Sequence, residues 1–80
     1  MYLRYNFYSV TMMSSFYYLT LECDPSGCFV LHTKACTRLP DVALRVFIGT
    51  FYHPRDALLT AKNRKVNTKP CRECLKDICR

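Results

Sequence analysis

Eighty residues suffice for one small domain, and a composition that is 50% hydrophobic and 22% charged indicates a folded chain rather than a disordered one. A domain of this length buries only roughly 60–65% of the surface that its unfolded chain exposes, so we expect cross-links to stabilise its small core. The net charge of +6 comes entirely from residues 37–80. It indicates either an anionic partner, such as nucleic acid, an anionic polysaccharide or an acidic membrane surface, or a basic surface that only keeps the protein in solution.

The first 21 residues are rich in aromatic side chains. Arg4 precedes a moderately apolar run, but polar residues interrupt that run and no small-residue cleavage site precedes Cys23, so a signal peptide is not predicted. The same interruptions argue against a membrane span, which needs about 20 apolar residues. The alternation of Tyr8, Val10 and Met12 with polar residues instead predicts a β-strand.

A β-hairpin is predicted around the turn sequence Asp24-Pro25-Ser26-Gly27. Apolar and polar residues alternate from Tyr17 to Cys23, and a second strand is predicted over residues 28–34. If Asp24 pairs with Gly27, the side chains of Cys23 and Cys28 face each other across the hairpin. If Gly27 forms a bulge, Asp24 opposes Cys28 and the two sulfur atoms point to opposite faces.

The remaining segments predict a strand, an ambiguous element and a helix. The alternation of Val42, Leu44, Val46 and Ile48 predicts a strand that ends at Gly49, and residues 54–65 fit either a short helix or a strand followed by a basic turn. The C-terminus predicts a helix because its apolar side chains recur at helical spacing: Cys71, Cys74, Leu75, Ile78 and Cys79. We therefore predict an α+β fold, a small β-hairpin or sheet with a C-terminal amphipathic helix, stapled by zinc or by disulfides.

The six cysteines lie in two groups, Cys23, Cys28 and Cys36 near the front and Cys71, Cys74 and Cys79 at the end. An even number fits three disulfides, whose pairing the sequence does not give. Zinc is the second hypothesis, because Cys71 and Cys74 in the first turn of a helix can bind one ion and the helix dipole favours their thiolate forms. In the third hypothesis, the C-terminal cysteines are small apolar side chains on a buried face of that helix. A structural zinc takes four ligands, so the zinc hypothesis assigns it Cys23, Cys28, Cys71 and Cys74.

The sequence Cys71-Arg72-Glu73-Cys74-Leu75-Lys76-Asp77-Ile78 resembles the helix start of zinc-binding small-subunit ribosomal proteins, which are treble-clef zinc fingers. It is also similar to the helix of RING fingers, although the Cys-Gly-His run expected before a RING helix is absent. The ribosomal resemblance implies a hairpin knuckle with two cysteines, then strands, then a helix with the second ligand pair. It also implies a place in a ribonucleoprotein assembly.

A second ligand set has the spacing Cys23-x4-Cys28-x3-His32-x3-Cys36, similar to that of a CCHC zinc knuckle. In one continuous strand Cys28 and Cys36 would lie about 26 Å apart, and in one helix about 12 Å apart. Only a sharp bend near Ala35 would bring these side chains together. We therefore expect His32 to be an ordinary strand histidine rather than a metal ligand.

The basic side chains are densest near the C-terminal end, at Lys62, Arg64, Lys65, Lys69 and Arg72. Such a cluster contacts phosphate groups without reading the base sequence, and its binding weakens as salt rises. Exposed Tyr or Phe on a strand can stack on unpaired bases, although most tyrosines of so small a protein are expected in the core. We predict nucleic acid as the partner, RNA being favoured over DNA, or another anionic polymer.

Two other hypotheses remain open. Residues 60–70 resemble the latter half of a chemokine, which implies a secreted ligand whose six cysteines form three disulfides and whose basic turn binds glycosaminoglycans. An accessory protein, for example a viral one, would act through protein contacts of its aromatic N-terminus. The sequence has no phosphate-binding loop, nucleophile elbow or metalloprotease spacing, so we do not predict an enzyme. The preferred hypothesis is an intracellular, zinc-stapled module that binds RNA or DNA backbone.

Overall fold

The computed structural model of this protein describes residues 14–76 and residue 78. Within them the chain forms strand β1 (Ser15–Thr20), strand β2 (Phe29–Thr33), strand β3 (Arg45–Phe51), helix α1 (Pro54–Arg64) and strand β4 (Thr68–Pro70), with a 3₁₀ turn at Val42–Leu44. The predicted α+β class is confirmed. The strand predicted from Tyr8 to Met12 lies outside the described residues.

The four strands form one sheet in the order β3-β1-β2-β4. β1 pairs antiparallel with β2, to which the hairpin turn joins it, and also antiparallel with β3, whereas β4 pairs parallel with β2. A parallel pair needs a long crossover connection. Here that connection contains both β3 and α1. The parallel pair places the C-terminal cysteines beside β2.

The predicted turn forms, in the register that separates Cys23 from Cys28. The Gly27 N–H donates to the Asp24 carbonyl at 2.8 Å, and the Asp24 N–H donates to the Cys28 carbonyl at 2.9 Å. Asp24 therefore opposes Cys28, and Gly27 is the extra residue of a bulge with a positive φ of 87°. The Asp24 carboxylate accepts the N–H groups of Ser26 and Cys28 and pairs with the Lys69 ammonium at 2.6 Å.

The core lies between one face of the sheet and α1. Tyr17 and Leu19 of β1 and Leu31 of β2 are at most 3% exposed, and they pack with Ala57 and Ala61 of the helix, which are fully buried. The alternation predicted from Tyr17 to Cys23 holds only as far as Leu19. Leu21 is 52% exposed because β1 ends at Thr20.

The ambiguous segment near Pro54 forms a helix, whereas the helix predicted at the C-terminal cysteines does not form within residues 71–76. Helix α1 covers Pro54–Arg64 of the ambiguous segment. Pro54 occupies its first turn, where the missing N–H is not needed, and the helix buries Ala57 and Ala61. The helix predicted over the C-terminal cysteines is wrong for residues 71–76, which form turns. One helical hydrogen bond is present there, from the Leu75 N–H to the Cys71 carbonyl at 3.0 Å. Leu75 is nevertheless buried, at 4% exposure, as the apolar spacing predicts.

The third predicted strand begins later and ends later than expected. Val42 and Leu44 belong to the 3₁₀ turn and are 76% and 43% exposed, while β3 runs through Gly49 to Phe51. Gly49 has a φ of 146° and lies where the pairing of β1 with β3 shifts by one residue. Among the residues that the structure describes, no helix has the length and hydropathy needed to cross a membrane.

The carboxylate of Asp24 predicts a pH-dependent contribution to stability. The hydrogen bond from Lys69, followed by those from Ser26 and Cys28, holds the pKa of Asp24 well below its usual range. A lowered carboxyl pKa stabilises the fold above the unfolded value of about 3.9, and this contribution disappears as the pH falls through the native pKa. Asp24→Asn should therefore lower the melting temperature at pH 5–7, and the difference from wild type should shrink below about pH 4.

Thermal unfolding followed by circular dichroism between pH 3 and 7 measures this difference. Glu22→Gln is the matched control, since Glu22 is an exposed carboxylate two residues away. A deficit of Asp24→Asn that stays constant across this pH range would contradict the assignment.

Candidate metal centre

Four potential metal ligands converge near the end of β2. The ligand atoms of His32, Cys36, Cys71 and Cys74 all lie within 4.8 Å of one another. The Sγ atoms of Cys36 and Cys71 are 3.7 Å apart, and the His32 Nδ1 atom is 3.4 Å from the Cys36 Sγ. His32, Cys36 and Cys71 are buried, and Cys74 is half-buried. The group is therefore a compact Cys3His cluster.

The parallel pairing of β2 with β4 places Cys71 in this cluster. Leu31 pairs with Pro70, and the Cys71 N–H donates to the Leu31 carbonyl at 2.9 Å. One more step along both chains brings His32 beside Cys71. Two residues that are far apart in sequence thus become neighbours through the backbone ladder.

A tight turn returns Cys36 to His32. The Cys36 N–H donates to the Thr33 carbonyl at 3.1 Å, which closes a turn over Lys34 and Ala35. This is the sharp bend near Ala35 without which His32 and Cys36 could not share a site. The strand histidine therefore contacts a cysteine four residues later.

Cys74 reaches the cluster through the turn that follows Cys71. The Leu75 N–H bonds to the Cys71 carbonyl, and buried Leu75 belongs to the hydrophobic core. Packing of Leu75 against the core holds the Cys-x-x-Cys segment against β2. The Cys74 Sγ accepts the N–H of Thr33 at 3.4 Å.

Two of the separations within the cluster are compatible with tetrahedral coordination of a metal such as zinc. Zinc–sulfur bonds of about 2.3 Å and zinc–nitrogen bonds of about 2.0–2.1 Å give edges of about 3.8 Å between sulfurs and about 3.6 Å between nitrogen and sulfur. The observed separations of 3.7 Å and 3.4 Å lie close to these values. Three thiolates and one imidazole are also the soft ligands that zinc prefers. A set of four protein ligands leaves no open position, which is typical of a structural rather than a catalytic zinc.

Backbone N–H groups point at all three sulfurs. Arg38 donates to the Cys36 Sγ, Glu73 to the Cys71 Sγ and Thr33 to the Cys74 Sγ, each at 3.4 Å. Three thiolates around a doubly charged ion leave one net negative charge. Backbone donors stabilise such charge on sulfur, and they also fix the direction of each ligand.

The protonation properties of the cluster suit a site that releases protons when metal binds. Burial raises the pKa of the Cys74 thiol to about 12. Burial also opposes ionisation of Cys71, but hydrogen bonds from the backbone of Cys74 and Glu73 and from neighbouring thiols lower its pKa overall. Burial, with a smaller effect of Arg38, lowers the pKa of His32, so its imidazole is neutral at pH 7. A neutral imidazole is the form that binds metal.

The structure brings together two of the four ligands that the sequence predicts. Cys71 and Cys74 lie in the cluster, whereas Cys23 is exposed and Cys28 is half-buried at the far end of the hairpin. The bulge at Gly27 keeps these two cysteines from facing each other. None of the five cysteines within the described residues forms a disulfide. Cys79 lies outside those residues.

His32 and Cys36 are the two members of the cluster that the preferred sequence hypothesis does not include. The spacing of His32 and Cys36 fits a metal site, but one extended strand would place Cys28 and Cys36 too far apart. The turn over Lys34 and Ala35 contains no Gly or Pro, so the sequence does not predict it. The signal that could have identified them is the pair itself. A histidine and a cysteine four residues apart can bind one ion when a turn intervenes.

The predicted phosphate-binding residues divide between a groove and the end of α1. A groove of about 660 Å³ is lined by four cationic side chains, Lys62, Lys69, Arg72 and Lys76, together with Leu58, Pro70 and Ile78. Lys69 is also engaged by Asp24 at 2.6 Å, so part of its charge is neutralised. Arg64 and Lys65 are exposed, and the Lys65 ammonium lies 5.0 Å from the centroid of the Phe29 ring.

Replacing individual cysteines distinguishes the His32, Cys36, Cys71 and Cys74 cluster from the ligand set that the sequence predicts. We expect Cys36→Ser and Cys71→Ser to weaken zinc binding by more than the roughly 10–100-fold that loss of an outer-shell partner costs. Cys23→Ser should bind zinc as wild type does, because Cys23 is outside the cluster. Competition with a chromophoric chelator measures each affinity.

Cobalt substitution provides a second readout, since the sulfur-to-cobalt absorption reports the number of thiolate ligands. Equal losses of affinity for Cys23→Ser, Cys28→Ser and Cys71→Ser, with Cys36→Ser unchanged, would restore the ligand set predicted from sequence. The variants should be compared at one pH because thiol ligands lose protons on binding.

Comparison with known proteins does not identify a family for this chain. No protein-family model, curated protein or solved structure matches the chain. The similarity of residues 71–78 to the helix of zinc-binding ribosomal proteins stays a prediction from sequence.

Proposed function

We propose that this chain is a small zinc-stapled module that binds the phosphate backbone of RNA. The observation that supports the zinc site is the convergence of His32, Cys36, Cys71 and Cys74 within 4.8 Å. Zinc would bind the Nδ1 atom of His32 and the three thiolates, and it would supply a cross-link between β2 and the segment after β4. A catalytic role is not part of the proposal.

Small size makes such a cross-link valuable. Within the described residues, the buried hydrophobic cluster contains six side chains, two of which are alanines. A core of this size contributes little stability by itself, and structural zinc commonly supplies folding free energy in domains below about 70–80 residues. A metal that joins Cys36 to Cys71 would close a loop of 35 residues. The proposed zinc would therefore determine whether the basic surface has a fixed shape.

The groove next to the Cys3His cluster supports the proposal of a polyanionic partner. Arg72 lies between the ligands Cys71 and Cys74, and Lys62 projects from the last turn of α1. With Lys69 and Lys76 they surround one groove whose remaining lining is apolar. Lysine and arginine side chains in this arrangement bind successive phosphates. RNA is preferred within the proposal because the sequence favoured RNA over DNA.

A disulfide-stapled extracellular ligand is the competing function. The contact that would favour it is the 3.7 Å separation of the Cys36 and Cys71 sulfurs, since oxidation would join this pair. We expect the intact protein to carry about one zinc ion and to show unmodified thiols after denaturation without reductant. A mass lighter by two hydrogen atoms for each disulfide, with zinc absent, would contradict the zinc-stapled module.

Removal of groove cations should weaken RNA binding and its dependence on salt. We expect Lys62→Ala and Arg72→Ala each to reduce the slope of log K against log salt by about 0.7, the value for one phosphate contact on a single strand. Fluorescence anisotropy with a labelled oligonucleotide at several potassium chloride concentrations measures the slope. The loss should be uniform across base sequences because phosphate contacts carry no sequence information.

Arg55→Ala is the matched control, because Arg55 is an exposed cation in the first turn of α1 and does not line the groove. It changes the net charge as Lys62→Ala does. Equal slopes for the Arg55, Lys62 and Arg72 variants would attribute binding to net charge alone. Binding of heparin that exceeds binding of RNA at equal salt would point to the extracellular alternative.

A further inference from the structure

Three aromatic side chains form a cluster on the outer face of β1 and β3. Phe16 and Tyr18 are two residues apart in β1, and Tyr18 pairs with Phe47 of β3. The Phe47 ring centroid lies 5.6 Å from that of Phe16 and 5.5 Å from that of Tyr18. We call these three residues the aromatic face.

The aromatic face is not part of the hydrophobic core. Tyr17 and Leu19, which alternate with it along β1, point into the core and are 3% and 2% exposed. Phe16 and Phe47 remain 45% and 47% exposed. Adjacent exposed rings on one face of a sheet are typical of interaction sites, because a partner that covers them removes their apolar surface from water.

Two cations flank the aromatic face. The Lys34 ammonium lies 5.4 Å from the centroid of the Phe16 ring, and the Arg45 guanidinium carbon lies 4.7 Å from that of Tyr18. The Arg45 guanidinium also donates to the Pro40 carbonyl at 2.8 Å, which fixes its position. A depression of about 310 Å³ extends from Phe16 along Thr33, Lys34 and Ala35.

We propose that the aromatic face is a stacking surface for the unpaired bases of single-stranded RNA, with Lys34 and Arg45 contacting the flanking phosphates. This inference rests on the proposed function and adds the structural class of RNA. Aromatic rings next to cations match a polymer in which flat bases alternate with phosphates. An apolar protein surface would leave both cations without a counter-charge, and a duplex keeps its bases stacked away from the rings.

The Cys3His cluster lies next to the aromatic face, on the neighbouring strand β2. Tyr18 lies directly opposite His32 in the pairing of β1 with β2. The turn that carries Lys34 ends at the ligand Cys36. Zinc bound to His32 and Cys36 would fix both ends of residues 32–36. It would thereby restrain Lys34 within this segment and Tyr18, which pairs with His32. Base stacking and metal binding are thus linked through residues 32–36.

The test compares Phe16→Leu and Phe47→Leu with wild type in binding to a fluorescein-labelled decamer of uridine. Each variant keeps an apolar side chain but removes a ring, and we expect affinity to fall about tenfold. The salt slope should not change, because neither substitution removes a cation. Tyr52→Leu is the matched control, since Tyr52 is 60% exposed and is not part of the aromatic face. Zinc content and circular dichroism verify that each variant is folded.

The outcomes separate this inference from the proposed function. If wild type binds no RNA, both fail. If groove variants weaken binding while Phe16→Leu and Phe47→Leu behave like Tyr52→Leu, the stacking surface alone is wrong. An equal tenfold loss toward a duplex would also contradict it, because duplex bases cannot stack on the rings.

Photocrosslinking tests the same surface without relying on a substitution. A decamer containing 5-iodouridine should crosslink wild-type protein at Phe16, Tyr18 or Phe47, as identified by mass spectrometry of the digested adduct. Crosslinks confined to other residues would overturn the proposal. Self-association that Phe47→Leu abolishes, with RNA binding unchanged, would assign the face to a second copy of the chain and also overturn it.

Discussion

The parallel pairing of β4 with β2 is the constraint on which the rest of the structure depends. Three pairs of residues, from Phe29 with Thr68 to Leu31 with Pro70, bring the end of the chain beside the first hairpin. That contact closes a long loop containing β3 and α1, which costs conformational entropy before any ladder bond forms. Lys69 and Asn67 help to secure it by bonding to Asp24 and Gly27 of the hairpin turn.

The same pairing explains why a metal would suit this fold. β4 has only three residues, and a short parallel ladder at the edge of a sheet is easily lost. The proposed zinc would fix the next residue, Cys71, to His32 of β2 and would thereby extend the contact beyond the ladder. Leu75 then anchors the C-terminal turn in the core at 4% exposure. The proposed metal and the hydrophobic core would thus reinforce each other at one end of the sheet.

The sheet separates support from recognition. One face buries Tyr17, Leu19 and Leu31 under α1, whose alanines allow a close approach. The other face of β1 carries Phe16 and Tyr18, because successive side chains of a strand point to opposite sides. The proposed RNA contacts use that outer face and the basic groove near the metal cluster. A strand with this alternation can therefore support the fold and contact a partner at once.

The sequence by itself determined the local features, and the tertiary structure decided which residues meet. Asp24 to Gly27 encode a turn through their own backbone preferences, and the alternation about Tyr17 and Leu19 encodes a strand, so the α+β class was predictable. The register of that turn depended on whether Gly27 bulged, which a four-residue pattern leaves open. Helical spacing is misleading over residues 71–76, because the packing of Leu75 and the turn after Cys71 determine the conformation there. The Cys3His cluster forms because two distant segments pair as parallel strands. Such pairing leaves no local signal in either segment.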